Sequence, residues 1–167
     1  MIIQTKVMAR ELSEYLWRSE RTVATAESCT AGMVSTALAH FPGSSTYFRG
    51  GIVAYTDEMK TELLGIDAKL LAEKGAVSEE VARAMVAAAI DRLHTDYAVA
   101  VTGYAGPTGG REAPVGTIYV AAGSRDDISV RCLTGDDGRE ENTVRATSCA
   151  LQMLCERLQR DFPRSEG

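Results

Sequence analysis

Apolar residues recur at helical spacing at Val7, Met8, Leu12, Tyr15 and Leu16 and predict an amphipathic first helix. A short apolar run, Val23 to Ala26, then suits a buried strand, and Ser28 to Thr30 supply N-cap chemistry for a second helix reaching about Ala39. The same order returns: Gly50 to Tyr55 reads as a strand, Thr56 or Asp57 as a cap, and a short helix ends at Leu64 and Gly65. Ser78 opens a long helix whose Val81, Ala82, Met85, Val86, Ala89, Ile90 and Leu93 form one broad apolar face, with small residues that allow close packing on a sheet. Tyr97 to Thr102 is the clearest buried strand. Gly116 to Ala122 and Ile128 to Leu133 predict a hairpin across residues 123–127, and a last helix from about Glu140 carries Val144, Leu151, Leu154, Cys155 and Leu158 inward. Strands alternating with helices, closed by a hairpin, imply an α/β fold: three layers, α/β/α, around a mixed, mostly parallel sheet.

At 167 residues, with 45% hydrophobic and 25% charged residues, the chain has the size and composition of one globular domain covering 1–167. A net charge of −5 and the lack of a basic run argue against nucleic acid and anionic membranes as partners. No apolar stretch approaches membrane-spanning length and the N-terminal segment is amphipathic, so the expected location is the cytoplasm. Cysteines 29, 132, 149 and 155 form no CxxC pair, and His40 and His94 lie near neither each other nor a cysteine pair, which predicts no metal site and no disulfide framework. Both histidines end helical patterns, where the macrodipole favours them, and a serine–histidine–acid triad would have to recruit one of the two.

In open α/β sheets ligands bind beyond the carboxyl ends of the strands, which directs attention to three turns. Ala26 to Gly32 offers Ser28, Cys29 and Thr30 among small residues, with helix-start amides suited to an oxyanion; simple N-capping by Ser28 or Thr30 accounts for the same residues. Tyr55 to Lys60 sets a phenol at a strand end and an amine one helical turn on. Burial would turn that amine into a base, and solvent exposure would leave it an ordinary surface lysine. Gly103 to Gly116 holds five glycines and two prolines in fourteen residues and presents unshielded amides, Gly106 among them, although it lacks dinucleotide or P-loop spacing and also reads as a plain connection.

Together these segments resemble the CinA C-terminal domain family across nearly the whole chain. The motifs are AESCTAG at 26–32, PGSS at 42–45, GGIVAYTDEMK at 50–60, LLG at 63–65, GAVSEEVA at 75–82, AVAVTGYAGPTGG at 98–110 and PVGT at 114–117. The resemblance implies a nicotinamide-nucleotide amidase that makes nicotinate mononucleotide and ammonia without metal or other cofactor, in the stand-alone form of the family. It implies a catalytic set of Ser28, Tyr55 and Lys60, with Tyr55 relaying or orienting the proton; amides near Cys29 and Thr30, or those around Thr102 and Gly103, are expected to hold the oxyanion, with Gly106 and Arg139 as further binding residues. The expected partners are a small-molecule nucleotide and, in a homodimer, a second copy of the chain. Tyr104 departs from the aliphatic residue usual in the family. The segment from 135 to 145, GDDGREENTVR, offers both Arg139 and Arg145 for the substrate phosphate; Arg139, ahead of the last helix, is the choice, and Arg145 fits a structural ion pair. Two rival readings are a nucleotide-binding or regulatory domain without chemistry, and a hydrolase using a Cys29 thiol made acidic by a helix N-terminus.

Overall fold

The computed structural model describes residues 3–163. Its elements are α1 (Ile3–Ser19), β1 (Val23–Glu27), α2 (Met33–Leu38), β2 (Phe48–Val53), α3 (Asp57–Leu64), α4 (Ala68–Lys74), α5 (Glu79–Leu93), β3 (Tyr97–Gly103), β4 (Ile118–Ser124), β5 (Asp127–Leu133) and α6 (Arg139–Asp161), with one 3₁₀ turn at Ser44–Thr46. The five strands form one sheet in the order β2-β1-β3-β4-β5. β2, β1 and β3 run parallel, and the β4–β5 hairpin closes the sheet antiparallel to them. The expected α/β/α arrangement is therefore present.

Side-chain alternation along the strands sorts the helices into two layers. Val23, Val99, Val101, Ile118 and Val120 point to one face and pack with Leu12, Leu16, Leu151 and Leu154 of α1 and α6. The other face is built from Ala24, Ala26, Ala98, Ala100 and Ala121, against which Val81, Ala82, Met85, Val86 and Ala89 of α5 lie. Alanine on the strands and alanine on the helix let α5 sit close to the sheet centre. Ser78 fixes where α5 begins, accepting from the Val81 amide at 3.3 Å while donating to the Gly75 carbonyl at 2.9 Å. His94 ends that helix in the left-handed region, at φ 53°.

Several boundaries differ from the sequence expectations. β2 begins and ends two residues earlier than predicted, so Tyr55 lies beyond the strand; β4 begins and ends two residues later, at Ile118 and Ser124, and the β4–β5 turn narrows to residues 125–126. α4, a short helix capped by Asp67, was not anticipated. Val7 is 63% exposed although it shares the apolar spacing of α1. The largest difference concerns α2, which starts at Met33 after a left-handed Gly32 and not at Ser28–Thr30. No helix among the described residues is long and apolar enough to cross a membrane.

Candidate active site

Three strand ends meet at one edge of the sheet. β1 ends at Glu27 and hands the chain to Ser28, whose amide donates to the Val101 carbonyl of β3 at 2.9 Å. β2 ends at Val53, and the next amide, from Ala54, donates to the Glu27 carbonyl at 2.9 Å. Thr56 then caps α3, accepting from the Met59 amide, and the helix carries Lys60 back toward β1. The Lys60 side chain, 2% exposed, reaches the Ala54 carbonyl at 3.2 Å and the Ser28 hydroxyl at 3.1 Å. Ser28 Oγ also lies 3.4 Å from the Tyr55 carbonyl, to which it donates. Desolvation by burial lowers the Lys60 pKa below 10.5, against the opposing pull of the Asp57 carboxylate and the nearby Cys29. An amine of lowered pKa at hydrogen-bond distance from a hydroxyl is the arrangement that allows proton transfer from that hydroxyl.

Ser28 and Lys60 open on a cavity of about 390 Å³, the size that small-molecule ligands occupy. Cys29, Tyr55, Thr102, Gly103, Gly106 and Arg139 also line it, so most of the residues singled out in the sequence come together. Thr30 does not. Its hydroxyl turns inward to the Glu27 carboxylate at 2.7 Å, and no side-chain contact with a ligand follows for it. The expected helix-start amides are in fact turn amides, because α2 begins later; those of Cys29 and Thr30 make no backbone hydrogen bond among the described residues. Ala31 follows at φ 48° and Gly32 at φ 100°, and left-handed geometry disfavours alanine by about 1–2 kcal/mol.

The remaining wall comes from β3 and the loop after it. Thr102 donates its hydroxyl to the Ala76 carbonyl at 2.8 Å, which spends its proton on the wall itself. Gly103 has to be glycine: an added Cβ would stand 2.6 Å from Ile118 Cγ1 and 2.7 Å from its Cα. The Tyr104 hydroxyl donates to Glu112, which folds the glycine-rich loop back over the strand end. Arg139, the first residue of α6, donates to the Gly106 carbonyl at 2.6 Å and to the Tyr55 hydroxyl at 2.6 Å. The Tyr55 phenol thus sits on Arg139 and not between Ser28 and Lys60, a placement that does not fit the expected proton relay. Arg145 lies outside the cavity, bonded to the Gly135 carbonyl at 2.8 Å and to Asp137 at 3.2 Å.

Burial pushes the Cys29 thiol up to about 11, with its own backbone amide and then the Lys60 and Arg139 charges only partly offsetting it. A thiol held that high is protonated at neutral pH, in contrast to the acidified thiol that the Cys29 hydrolase reading expected. Asp57, Thr108 and Glu112 also line the cavity; none was singled out as a site residue, although Asp57 lies between Tyr55 and Lys60 and the other two lie in the glycine-rich loop. No group of three or more metal-ligating side chains occurs among the described residues.

Known proteins share this arrangement of segments. The family model described as CinA C-terminal domain matches residues 5–158. A CinA-like protein of Mycolicibacterium gilvum is 47% identical over 136 residues, 80% of this chain and 32% of the relative. One from Gemmatimonas aurantiaca is 45% identical over 158 residues, 93% of this chain and 36% of the relative. The chain thus spans about a third of the length of these curated relatives. Among solved structures, a competence-damaged protein (CinA) superfamily protein from Klebsiella pneumoniae superposes with a TM-score of 0.90 at 30% identity, covering 93% of this chain and 98% of that one. A competence/damage inducible protein from Agrobacterium tumefaciens does so at 0.89 and 36%, covering 93% and 96%. With a family model matched along almost its entire length, this chain belongs to the CinA C-terminal domain family.

Proposed function

We propose that this protein is a serine amidohydrolase that converts nicotinamide mononucleotide to nicotinate mononucleotide and ammonia. The observation that carries the reading is Lys60, a buried amine of lowered pKa 3.1 Å from the Ser28 hydroxyl at the wall of a ligand-sized cavity. The choice of nucleotide rests on the family resemblance and on Arg139, a cation in the same cavity suited to a phosphate.

In this mechanism neutral Lys60 accepts the Ser28 proton as Oγ attacks the carboxamide carbon. The oxyanion that forms is met by the turn amides of Cys29 and Thr30, which have no carbonyl to satisfy within the backbone. Collapse breaks the C–N bond, and the Lys60 ammonium returns its proton to the departing nitrogen, so ammonia leaves and an ester to Ser28 remains. Water, deprotonated by Lys60, attacks that ester; the acid leaves and Ser28 recovers its proton. Tyr55 supports the site through its carbonyl, which accepts from Ser28, and through its phenol, which braces Arg139.

The test is ammonia and nicotinate mononucleotide formed in equal amounts by the purified chain from nicotinamide mononucleotide. A protein that is stabilised by the nucleotide yet releases no ammonia would instead be the binding module considered above.

A further inference from the structure

Glu27 is fully buried at the end of β1, one residue before Ser28, and its carboxylate takes no part in the chemistry just described. Five donors converge on its two oxygens. Oε2 accepts from the Thr30 hydroxyl at 2.7 Å, the Gly32 amide at 3.0 Å and the Val34 amide at 3.1 Å. Oε1 accepts from the Ser35 amide at 2.8 Å and the Ser35 hydroxyl at 2.7 Å. Because Ser35 gives its proton to Glu27, the Thr25 hydroxyl donates to Ser35 Oγ across 2.6 Å. That network fills the space left by Gly51, where a Cβ would stand 2.2 Å from Thr25 Oγ1 and 2.3 Å from Ser35 Oγ.

We infer that Glu27 is the positioning residue of the nucleophile turn: its carboxylate holds residues 30–35 so that Ser28 meets Lys60 and the Cys29 and Thr30 amides stay clear of backbone carbonyls. The inference rests on the Ser28–Lys60 reading of the site. Two observations join Glu27 to both halves of the pair. Its side chain fastens the segment after Ser28, through the left-handed Ala31 and Gly32 that alanine would not otherwise favour. Its carbonyl takes the Ala54 amide, and the Ala54 carbonyl in turn takes Lys60 Nζ, so one residue sets the nucleophile turn and the anchor of the amine. A carboxylate suits this place because it only accepts; glutamine keeps one accepting oxygen and presents an N–H₂ group to donors.

The test uses Glu27→Gln together with the milder Thr30→Val, which removes one of the five donors and keeps the carboxylate. Hydrogen–deuterium exchange is read over residues 28–35 and kinetics on nicotinamide mononucleotide alongside. In Thr30→Val, exchange at residues 28–35 should quicken at least tenfold with β3 and α5 unchanged, and kcat should fall about tenfold while KM stays within threefold. Thr30→Ser, which keeps the hydroxyl, should recover at least half of the lost kcat. Glu27→Gln should lose about a hundredfold in kcat; should it fail to fold, the Thr30 pair alone decides. Unchanged exchange in Thr30→Val, or faster exchange with kcat intact, overturns the inference. A wild-type protein that releases no ammonia sinks the amidase reading instead, and the exchange arm then judges the positioning by itself.

Discussion

Lys60 is held by the Ala54 carbonyl and the Ser28 hydroxyl with almost no contact with water, so its charged form loses more on folding than its neutral one. The sign follows: below the lowered pKa Lys60 is an ammonium and cannot accept a proton, and above it the free amine is present. Turnover per enzyme should therefore rise with pH and level off before the ordinary lysine value of 10.5, as a pH profile of kcat would record. Lys60→Arg should be as inactive as Lys60→Ala, since arginine keeps the charge and provides no base; near-normal turnover in the arginine variant would show that residue 60 supplies charge alone. The neighbouring pair separates as cleanly. Ser28→Ala should abolish ammonia release, whereas Cys29→Ser should keep most of it, because the Cys29 thiol at about 11 is no nucleophile at neutral pH. Residue types at this scale were legible in the sequence, and Ser28 and Lys60 could be named from their turns. Their environments were not: the rival Cys29 reading drew its acidity from a helix N-terminus that α2 does not place there, and burial raises the thiol instead.

Elements were legible where the pattern was local. The continuous apolar run of β3 and the Ser78 cap of α5 announce themselves within a few residues, and both strand and helix lie where expected. α2 is different because its capping group, the Glu27 carboxylate, comes from inside a strand, on the face turned to the helix. Short-range capping rules search the residue just before a helix, and there they found Ser28 and Thr30. α4 has only seven residues and Leu71 as its buried side chain, too little periodicity to register. Gly103 gives the scale its prediction. Its missing side chain lets β3 approach Ile118 of β4 at the point where the strand becomes cavity wall, and alanine there would strike backbone as well as side chain. Gly103→Ala should cost about 1–3 kcal/mol, as overpacking does, and lower the melting temperature by roughly 2–12 °C. Ammonia release should fall with it, because Thr102, Gly103 and Tyr104 share the wall; a melting curve unchanged by the substitution would mean the strands separate there without strain.

Over the whole molecule the net charge is −5, so the anionic nucleotide proposed as substrate would approach against a repulsive field and would have to be captured by local charge. The proposed mechanism needs Lys60 neutral at the reacting end, which leaves Arg139, an exposed cation lining the cavity, for the phosphate. Two of its five N–H groups go to the Gly106 carbonyl and the Tyr55 hydroxyl, which aims the guanidinium and leaves others for phosphate oxygens. None of this is visible from position 139 alone, since Tyr55 lies 84 residues away in the chain. Arg139→Ala should raise KM for nicotinamide mononucleotide roughly ten- to hundredfold, corresponding to about 1.5–3 kcal/mol for hydrogen bonds to a charged group, and should change KM for nicotinamide riboside, which lacks the phosphate, far less. Tyr55→Phe distinguishes bracing from proton transfer. Without its hydroxyl Arg139 loses one of two anchors, so KM for the mononucleotide should rise a few-fold while kcat is kept. A large fall in kcat on both substrates would instead return the phenol to the chemical step and would require it to leave Arg139 when substrate binds.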